Sequence, residues 1–576
     1  MTPGVADRAA EPIVRHFRQI MMWPLQLMPL GPRSQAPSEH WQAFIKSDTA
    51  GLWHEVEDEF GDPDDFQERH YREFVTFLPH AQRFLYGQGR SSASLRGYGE
   101  SPMRVFRRTD IAQIRLTFSD ETQLLMTVQH VDLYFYHDVD VVMLAFEYFA
   151  DDIPLSRVQE LVYRFGRAYP AQWDAQGVPD QCMRNVEWLN ERGEVLAASD
   201  FMNRKAFLSH VCEHRESRIG RHWDYLLRPM VQHHSELSGE IRYRQLEHHH
   251  LPKMTYLSFD NPFVLAREDF YRLGMATEPG IVGEFLPYHD RSVARFESEH
   301  CYDHFWMPER GDMRASTRIV CTPRAMLMVG CASSRAFSDC DTGMLGQFRH
   351  HYFLLGMTVH FHHAAFLMFS DRMVLSVSRL NVDDPDSLER FREHMRDTTE
   401  TFLRFNHRYW FHEVSKDAVV RDLFKLWSQQ LSNDELFQEI REEILDMGEY
   451  LDGDASRRQS DIVLRLTVVT ILGSIGTIAT GFLGMNLIDE SAQPLHMKIL
   501  YFLAVMVPSV LLTFFIVMKS GPLAKWFDQM ASERMSARSK IKRLLRGPQM
   551  PRFRPVPKRA RLTLSPPSTR ERRSGV

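Results

Sequence analysis

Cysteine is scarce, with six residues in a chain of 576. Cys182, Cys212, Cys301, Cys321, Cys331 and Cys340 form no Cys-x-x-Cys pair and no zinc-finger spacing, so neither a disulfide framework nor a structural zinc site is supported, and reduced thiols are expected. No nucleotide-binding P-loop, metalloprotease helix motif or nucleophile elbow stands in a supporting context. The chain therefore reads as a non-enzyme with no bound cofactor. The apolar run from Ile20 to Leu30 is broken by Pro24 and Pro29 and followed by no convincing small-residue cleavage site, so no signal peptide and no early membrane span are expected. Internal repeats are also lacking.

What is present is enough apolar sequence, 44% of residues, to bury a substantial core, in a chain too long for one ordinary domain. The net charge of −6 is small but uneven, since basic residues dominate after Ser520 and acidic ones before it. Residues 1–100 read as a mostly helical N-terminal extension, with an amphipathic piece from Phe66 to Leu78 that Pro79 stops.

Residues 101–385 read as an α/β domain. Gln123 to Tyr136 and Val139 to Phe149, rich in β-branched and aromatic residues and separated by His137 and Asp138, predict a hairpin. Val158, Leu161, Val162 and Phe165 follow at helical spacing, with Ser156 and Gln159 at capping-box distance. Arg318 to Cys321 and Ala325 to Val329 suggest a second strand pair, and the apolar stretch Met344 to Leu380 a helix.

Residues 386–461 read as a helical stalk. Ser432 and Glu435 again stand at capping-box spacing, and a helix running from there to Leu483 would be about 75 Å long at 1.5 Å per residue. Two apolar stretches follow, each long enough to cross a bilayer: 462–483, interrupted by Arg465, and 499–518, interrupted by Pro508 and Ser509. Residues 484–498 form a short link between them, and 519–576 a basic tail. Arg457 and Arg458 before the first span, and Lys519, Lys525, Arg534, Arg538, Lys540, Lys542 and Arg543 after the second, place both termini in the cytoplasm of a multi-pass protein of the plasma (bacterial inner) membrane. The fold class is thus an α+β cytosolic domain, a long helical stalk and two C-terminal transmembrane helices.

The first span carries more pattern than an anchor needs. Thr467, Thr470, Ser474, Thr477 and Gly481 fall within an arc of about 80° at 100° per residue. Gly473, Gly476 and Thr480 make a neighbouring small face suited to close helix contact. A hydroxyl-lined pore has a use for this pattern. Asp489 and Glu490 in the link would concentrate cations at the outer mouth if repeated around an oligomer.

Gly484-Met485-Asn486 closes the first span, and here the chain resembles the CorA family of magnesium transporters, whose hallmark is Gly-Met-Asn at this place. The resemblance covers about Ser387 to Lys525. It implies a homopentamer whose first spans line a pore for hydrated divalent cations, with Gly484, Met485 and Asn486 as the outer selectivity filter. It also implies pore-lining roles for Thr477 and for Ser460 at the inner mouth, and places Leu466 and Ser474 at constriction positions, where Ser474 departs from the hydrophobic pattern. Leu483 stands in place of the usual aromatic, and Ile475 where a proline is common.

The acidic stretch including Glu439, Glu442, Glu443 and Asp446 reads first as a solvated face and second as a regulatory magnesium site between subunits. The histidine runs His233-His234, His248-His249-His250, His350-His351 and His360 to His363 show no helical His-x-x-x-His pair with a third ligand, so core and surface roles are expected, with zinc as the alternative transported ion. The basic tail is expected on anionic lipid headgroups, not on nucleic acid. A membrane-anchored sensor without transport is the alternative from another class.

Overall fold

The computed structural model describes residues 11–30, 40–56, 68–87, 102–247, 249–381, 384–484, 494–500, 502–504, 506–508 and 510–511. The chain divides into two compact units, Met1–Met447 and Gly448–Val576.

The first unit is mixed α/β and built on one large sheet. In chain order its strands are β1 (Ile13–Leu27), β2 (Trp53–Glu55), β3 (Met103–Arg108), β4 (Gln113–Thr117), β5 (Gln123–Tyr136), β6 (Val141–Pro154), β7 (Asn185–Leu189), β8 (Val195–Ala198), β9 (Val231–Gln232), β10 (Arg242–Gln245), β11 (Lys253–Phe259), β12 (Cys301–Tyr302), β13 (Thr317–Cys321) and β14 (Ala325–Cys331). The main path runs β12-β13-β14-β11-β1-β6-β5-β4-β7-β8. The pairings are antiparallel except β11 with β14 and β9 with β10. The helices used below are α1 (Leu155–Arg164), α2 (Arg204–His214), α3 (His351–Ser378), α4 (Pro385–Arg408), α5 (Ala418–Gln430) and α6 (Asn433–Gly484).

The β5–β6 hairpin forms where its β-branched and aromatic sequence places it, with Phe135 opposite Val142 and Asp138 in the left-handed turn at φ 65°. The β13–β14 pair likewise matches its pattern, with Cys321 opposite Met326. Val158, Leu161 and Val162 of α1 are buried, but no capping box forms: Pro154 is the N-cap and makes no side-chain cap bond. Ser156 instead donates its backbone N–H to Glu11, and Gln159 is buried, its amide donating to Asp269. Pro79 does interrupt helix, separating Glu68–Thr76 from Pro79–Tyr86, but it also begins the second helix at its first position, where a missing N–H is harmless.

The described residues of 1–100 combine short helices with strands β1 and β2. β1 is a 15-residue strand at the middle of the sheet, between β6 and β11. Phe17, Met21, Trp23 and Leu25 face one core cluster and Ile20 and Met22 the other, so both faces are covered and the stretch Ile20–Leu25 reads as a continuous apolar run without alternation. Pro24 is accommodated by a change of partner. On the side away from β6, pairing with β11 ends at Met21 and pairing with β10 begins at Leu25. Met22 and Met28 donate on that side, to Pro252 and Arg242, so Pro24, of the same parity, directs its nitrogen into the gap.

The helical stretch Met344–Ser378 is long and apolar enough to cross a membrane by length and composition, yet 72% of its apolar 18-residue window is buried inside the protein, and it serves as the core helix of one sheet face. Its Gly356 lies so close to α5 that an added Cβ would come within 2.6 Å of the Trp427 ring. α4 and α5 complete this layer through Phe402, Phe405, Leu423, Phe424 and Trp427. The expected stalk is therefore not free-standing from residue 386. Its first two helices belong to the core, because their apolar residues repeat at helical spacing and find α3.

Candidate functional site

α6 runs without a break for 52 residues, about 78 Å at 1.5 Å per residue. Its start is set by two neighbours. Ser432 takes a left-handed conformation at φ 51° between α5 and α6, and Asn433 is fully buried, its amide donating to the Val359 carbonyl of α3 at 3.0 Å. The Ser432 carbonyl accepts the Leu436 N–H at 3.0 Å.

Phe437, Ile440 and Ile444 face the core, which turns the acids of this segment outward. Glu439, Glu442 and Asp446 are exposed and Glu443 is half-buried. Burial first, and Glu439 one turn away second, push the Glu443 carboxyl above its ordinary value. Like charges at this spacing repel, so the segment is a place where a counter-cation is electrostatically favourable.

In the second unit, Ser460, Thr467, Thr470, Ser474, Thr477, Gly481 and Gly484 are exposed, and Leu466 is 64% exposed. The hydroxyls share one bonding pattern, each donating to the carbonyl four residues back. Ser460 donates to Ser456 at 2.9 Å, Thr467 to Val463 at 2.8 Å and Thr470 to Leu466 at 2.8 Å. Ser474 donates to Thr470 at 2.9 Å and Thr477 to Gly473 at 3.0 Å. A hydroxyl whose hydrogen is committed to its own helix offers lone pairs outward, so this face accepts hydrogen bonds. Water molecules around a cation, whose hydrogens point away from the ion, are donors of the matching kind.

Among the described residues, no neighbour lies within 4 Å of a Cβ built at Gly473, Gly481 or Gly484. Met485, Asn486, Asp489 and Glu490 lie outside the described residues, as does the tail 519–576. The side chains of Arg457, Arg458, Arg465 and Leu483 are likewise outside the described set. Of the second apolar stretch, the described residues within Leu495–Pro508 lie in an apolar helix. Its Leu500, Phe502, Leu503, Met506 and Val507 are exposed in the single chain, as are Ile462 and Val463 of α6.

The histidine runs disperse. His362 is buried and bonded to the Tyr409 carbonyl at 2.7 Å, His350 pairs with Glu73 at 3.2 Å, and His250 lies 3.2 Å from the buried Lys253 amino group. His233 and His234 are the exception, because they meet His210 and His214 of α2. That pair has the helical i, i+4 spacing and lies outside the runs that drew notice in the sequence. All six cysteines are free. Asp339, Cys340 and Asp341 cluster at the surface, where Asp339 accepts the backbone N–H groups of Asp341 and Thr342 as a turn residue.

No protein-family model matches the chain, and no curated protein matches it as a relative.

Proposed function

We propose that the chain is a divalent-cation channel or transporter of the CorA type, most suited to magnesium, in which α6 of each of five copies lines a central pore. The observation that carries this reading is the exposed acceptor face of α6, from Ser460 through Thr467, Thr470, Ser474 and Thr477 to Gly481, followed at once by Gly484-Met485-Asn486. Magnesium gives up its water shell reluctantly, so a pore for it contacts the shell and not the bare ion. Back-bonded hydroxyls receive the hydrogens of that shell, and a ring of Asn486 side-chain carbonyls supplies further neutral oxygen acceptors at the outer end.

The exposed apolar residues Ile462, Val463 and Leu466, together with the apolar helix Leu495–Pro508, support placement of 462–483 and 499–518 in a bilayer as two spans, with both termini cytoplasmic. The small residues Gly473 and Gly481, with no described neighbour at their Cβ positions, support close approach of further helices there. Transport runs down the electrochemical gradient. A divalent ion gains about 4.6 kcal/mol per 100 mV of inward-negative potential, at about 2.3 kcal/mol per charge. The acidic face at Glu439, Glu442, Glu443 and Asp446 is the regulatory magnesium site of this reading, filled when cytosolic magnesium is plentiful and biasing the pore shut.

The test combines the mass of the detergent-solubilised complex with ion influx into dye-loaded liposomes. A pentamer that admits magnesium supports the proposal. Influx of zinc or nickel with no magnesium influx replaces the ion and keeps the channel. No flux of any of the three from a folded oligomer, with or without an inward-negative potential, removes transport and leaves a membrane-anchored sensor.

A further inference from the structure

Four imidazoles converge at the C-terminal end of α2 and the exit of β9. His210 and His214 stand one turn apart on α2, with ring centres 4.6 Å apart. His214 lies 5.0 Å from His234, and His234 4.4 Å from His233, the two residues that directly follow β9. Glu216 completes the group, with Oε2 at 3.2 Å from His234 Nε2.

The ring separations approach those of imidazoles that share one ion, although the ligand atoms are not gathered around a single point in this conformation. With about 2.0–2.1 Å from zinc to nitrogen and about 1.1 Å from nitrogen to ring centre, two imidazoles on a tetrahedral ion have ring centres about 5 Å apart. Two nitrogens, Nε2 of His210 and Nδ1 of His233, are buried with no hydrogen-bond partner among the described residues. An orphaned ring nitrogen is costly unless something else occupies it. His234 is exposed and His210, His214 and His233 are half-buried, so an ion in solution can reach the group.

The charges around the site are mixed. Glu213 and Glu216 bring negative charge. Arg218, Arg242 and Arg244 are the nearby cations: Asp200 engages Arg218 at 2.7 Å, Asp371 engages Arg244, and Arg242 donates to the His233 carbonyl at 2.8 Å. Burial first, then His234, Arg244 and Arg242, hold His233 below the ordinary histidine range; burial, His214, Arg218 and His234 do the same for His210.

We propose that His210, His214, His234 and Glu216, with His233 beside them, form a binding site for a borderline-soft divalent ion such as zinc, cobalt or nickel. Imidazole donors select these ions over magnesium, which prefers oxygen. The site lies in the N-terminal unit and does not depend on the transport reading. By joining α2 to the segment after β9 it stabilises the folded chain in proportion to metal occupancy.

The experiment titrates cobalt chloride into the untagged, chelator-treated full-length chain in detergent, following visible absorption, and then measures thermal unfolding with and without zinc chloride. About one cobalt per chain is expected in a coordinated site, undisturbed by millimolar magnesium. His210→Ala and His234→Ala are expected to abolish the band and the zinc-dependent rise in unfolding temperature, while Asn486→Ala keeps both. His234 is exposed, so its variant should unfold at the native temperature without metal, separating a lost ligand from a lost fold. Absence of the band in the native chain, or its persistence in both histidine variants, would overturn the site.

Discussion

The side-chain amide of Asn433 donates to the main-chain oxygen of Val359 at 3.0 Å, tying the first residue of α6 to the middle of the buried helix α3. The same side chain meets His363 Nδ1 through its oxygen at 3.3 Å. Since Asn433 is fully buried, its replacement removes both contacts where water cannot substitute. Asn433→Ala is expected to destabilise the first unit by about 1–3 kcal/mol, read as a lowered midpoint of thermal unfolding. An unchanged midpoint would show that α6 is anchored elsewhere.

Glu147 of β6 is a second buried anchor. Arg18 of β1 reaches it at 2.5 Å and Arg349 at 2.8 Å. Burial alone would raise its carboxyl, but Arg18 and then Arg349 overcome this and hold it below the ordinary value. Glu147→Gln leaves the buried Arg18 guanidinium without its charge partner. A loss of about 3–5 kcal/mol is expected in denaturant titration, against near-neutrality if water reaches the site.

Three buried histidines make the fold acid-sensitive. Burial drives His222, His360 and His362 down to about 3, whereas unfolded histidine titrates at 6.5. Between those values the unfolded chain binds more protons, so their contribution is full above pH 6.5 and is lost as pH falls toward 3. Glu147, depressed from 4.5, adds a loss at still lower pH as its folded value is crossed. Both nitrogens of His360 lack hydrogen-bond partners, and its ring stands edge-on to Trp427. His360→Leu should therefore flatten the decline in unfolding temperature between pH 6.5 and 5 while folding normally at pH 7.5. An unaltered slope would contradict the assignment.

On the acceptor face of α6, Thr470→Val keeps the shape and removes the hydroxyl. The helix loses only the bond to Leu466, but the proposed pore loses one acceptor per copy. At about 1 kcal/mol for a lost hydrogen bond, a roughly fivefold fall in magnesium flux is expected with oligomer mass unchanged. Equal flux in the variant would remove this face from the ion path.

Local patterns carried much of this fold. The β5–β6 hairpin, the β13–β14 pair and the long helix ending at Gly484 all lie where alternation and periodicity put them. β1 escaped because a strand covered on both faces shows no period of two, and because Pro24 argues against a central strand unless the partner switch beside it is known. α4 and α5 resembled a stalk because helical spacing does not reveal whether the apolar face meets its own chain or another copy. The His210–His214 pair was readable as an i, i+4 spacing, but His233 and His234 join it only through the path of the chain between them. The acceptor face was legible as spacing alone, whereas the direction of its hydrogen bonds required coordinates.

The most direct measurement is magnesium influx into dye-loaded liposomes through the native chain and through Asn486→Ala, at an inward-negative potential. The account expects native influx that collapses in the variant while the oligomer stays intact. Equal influx through both, or none through the native chain, would contradict it.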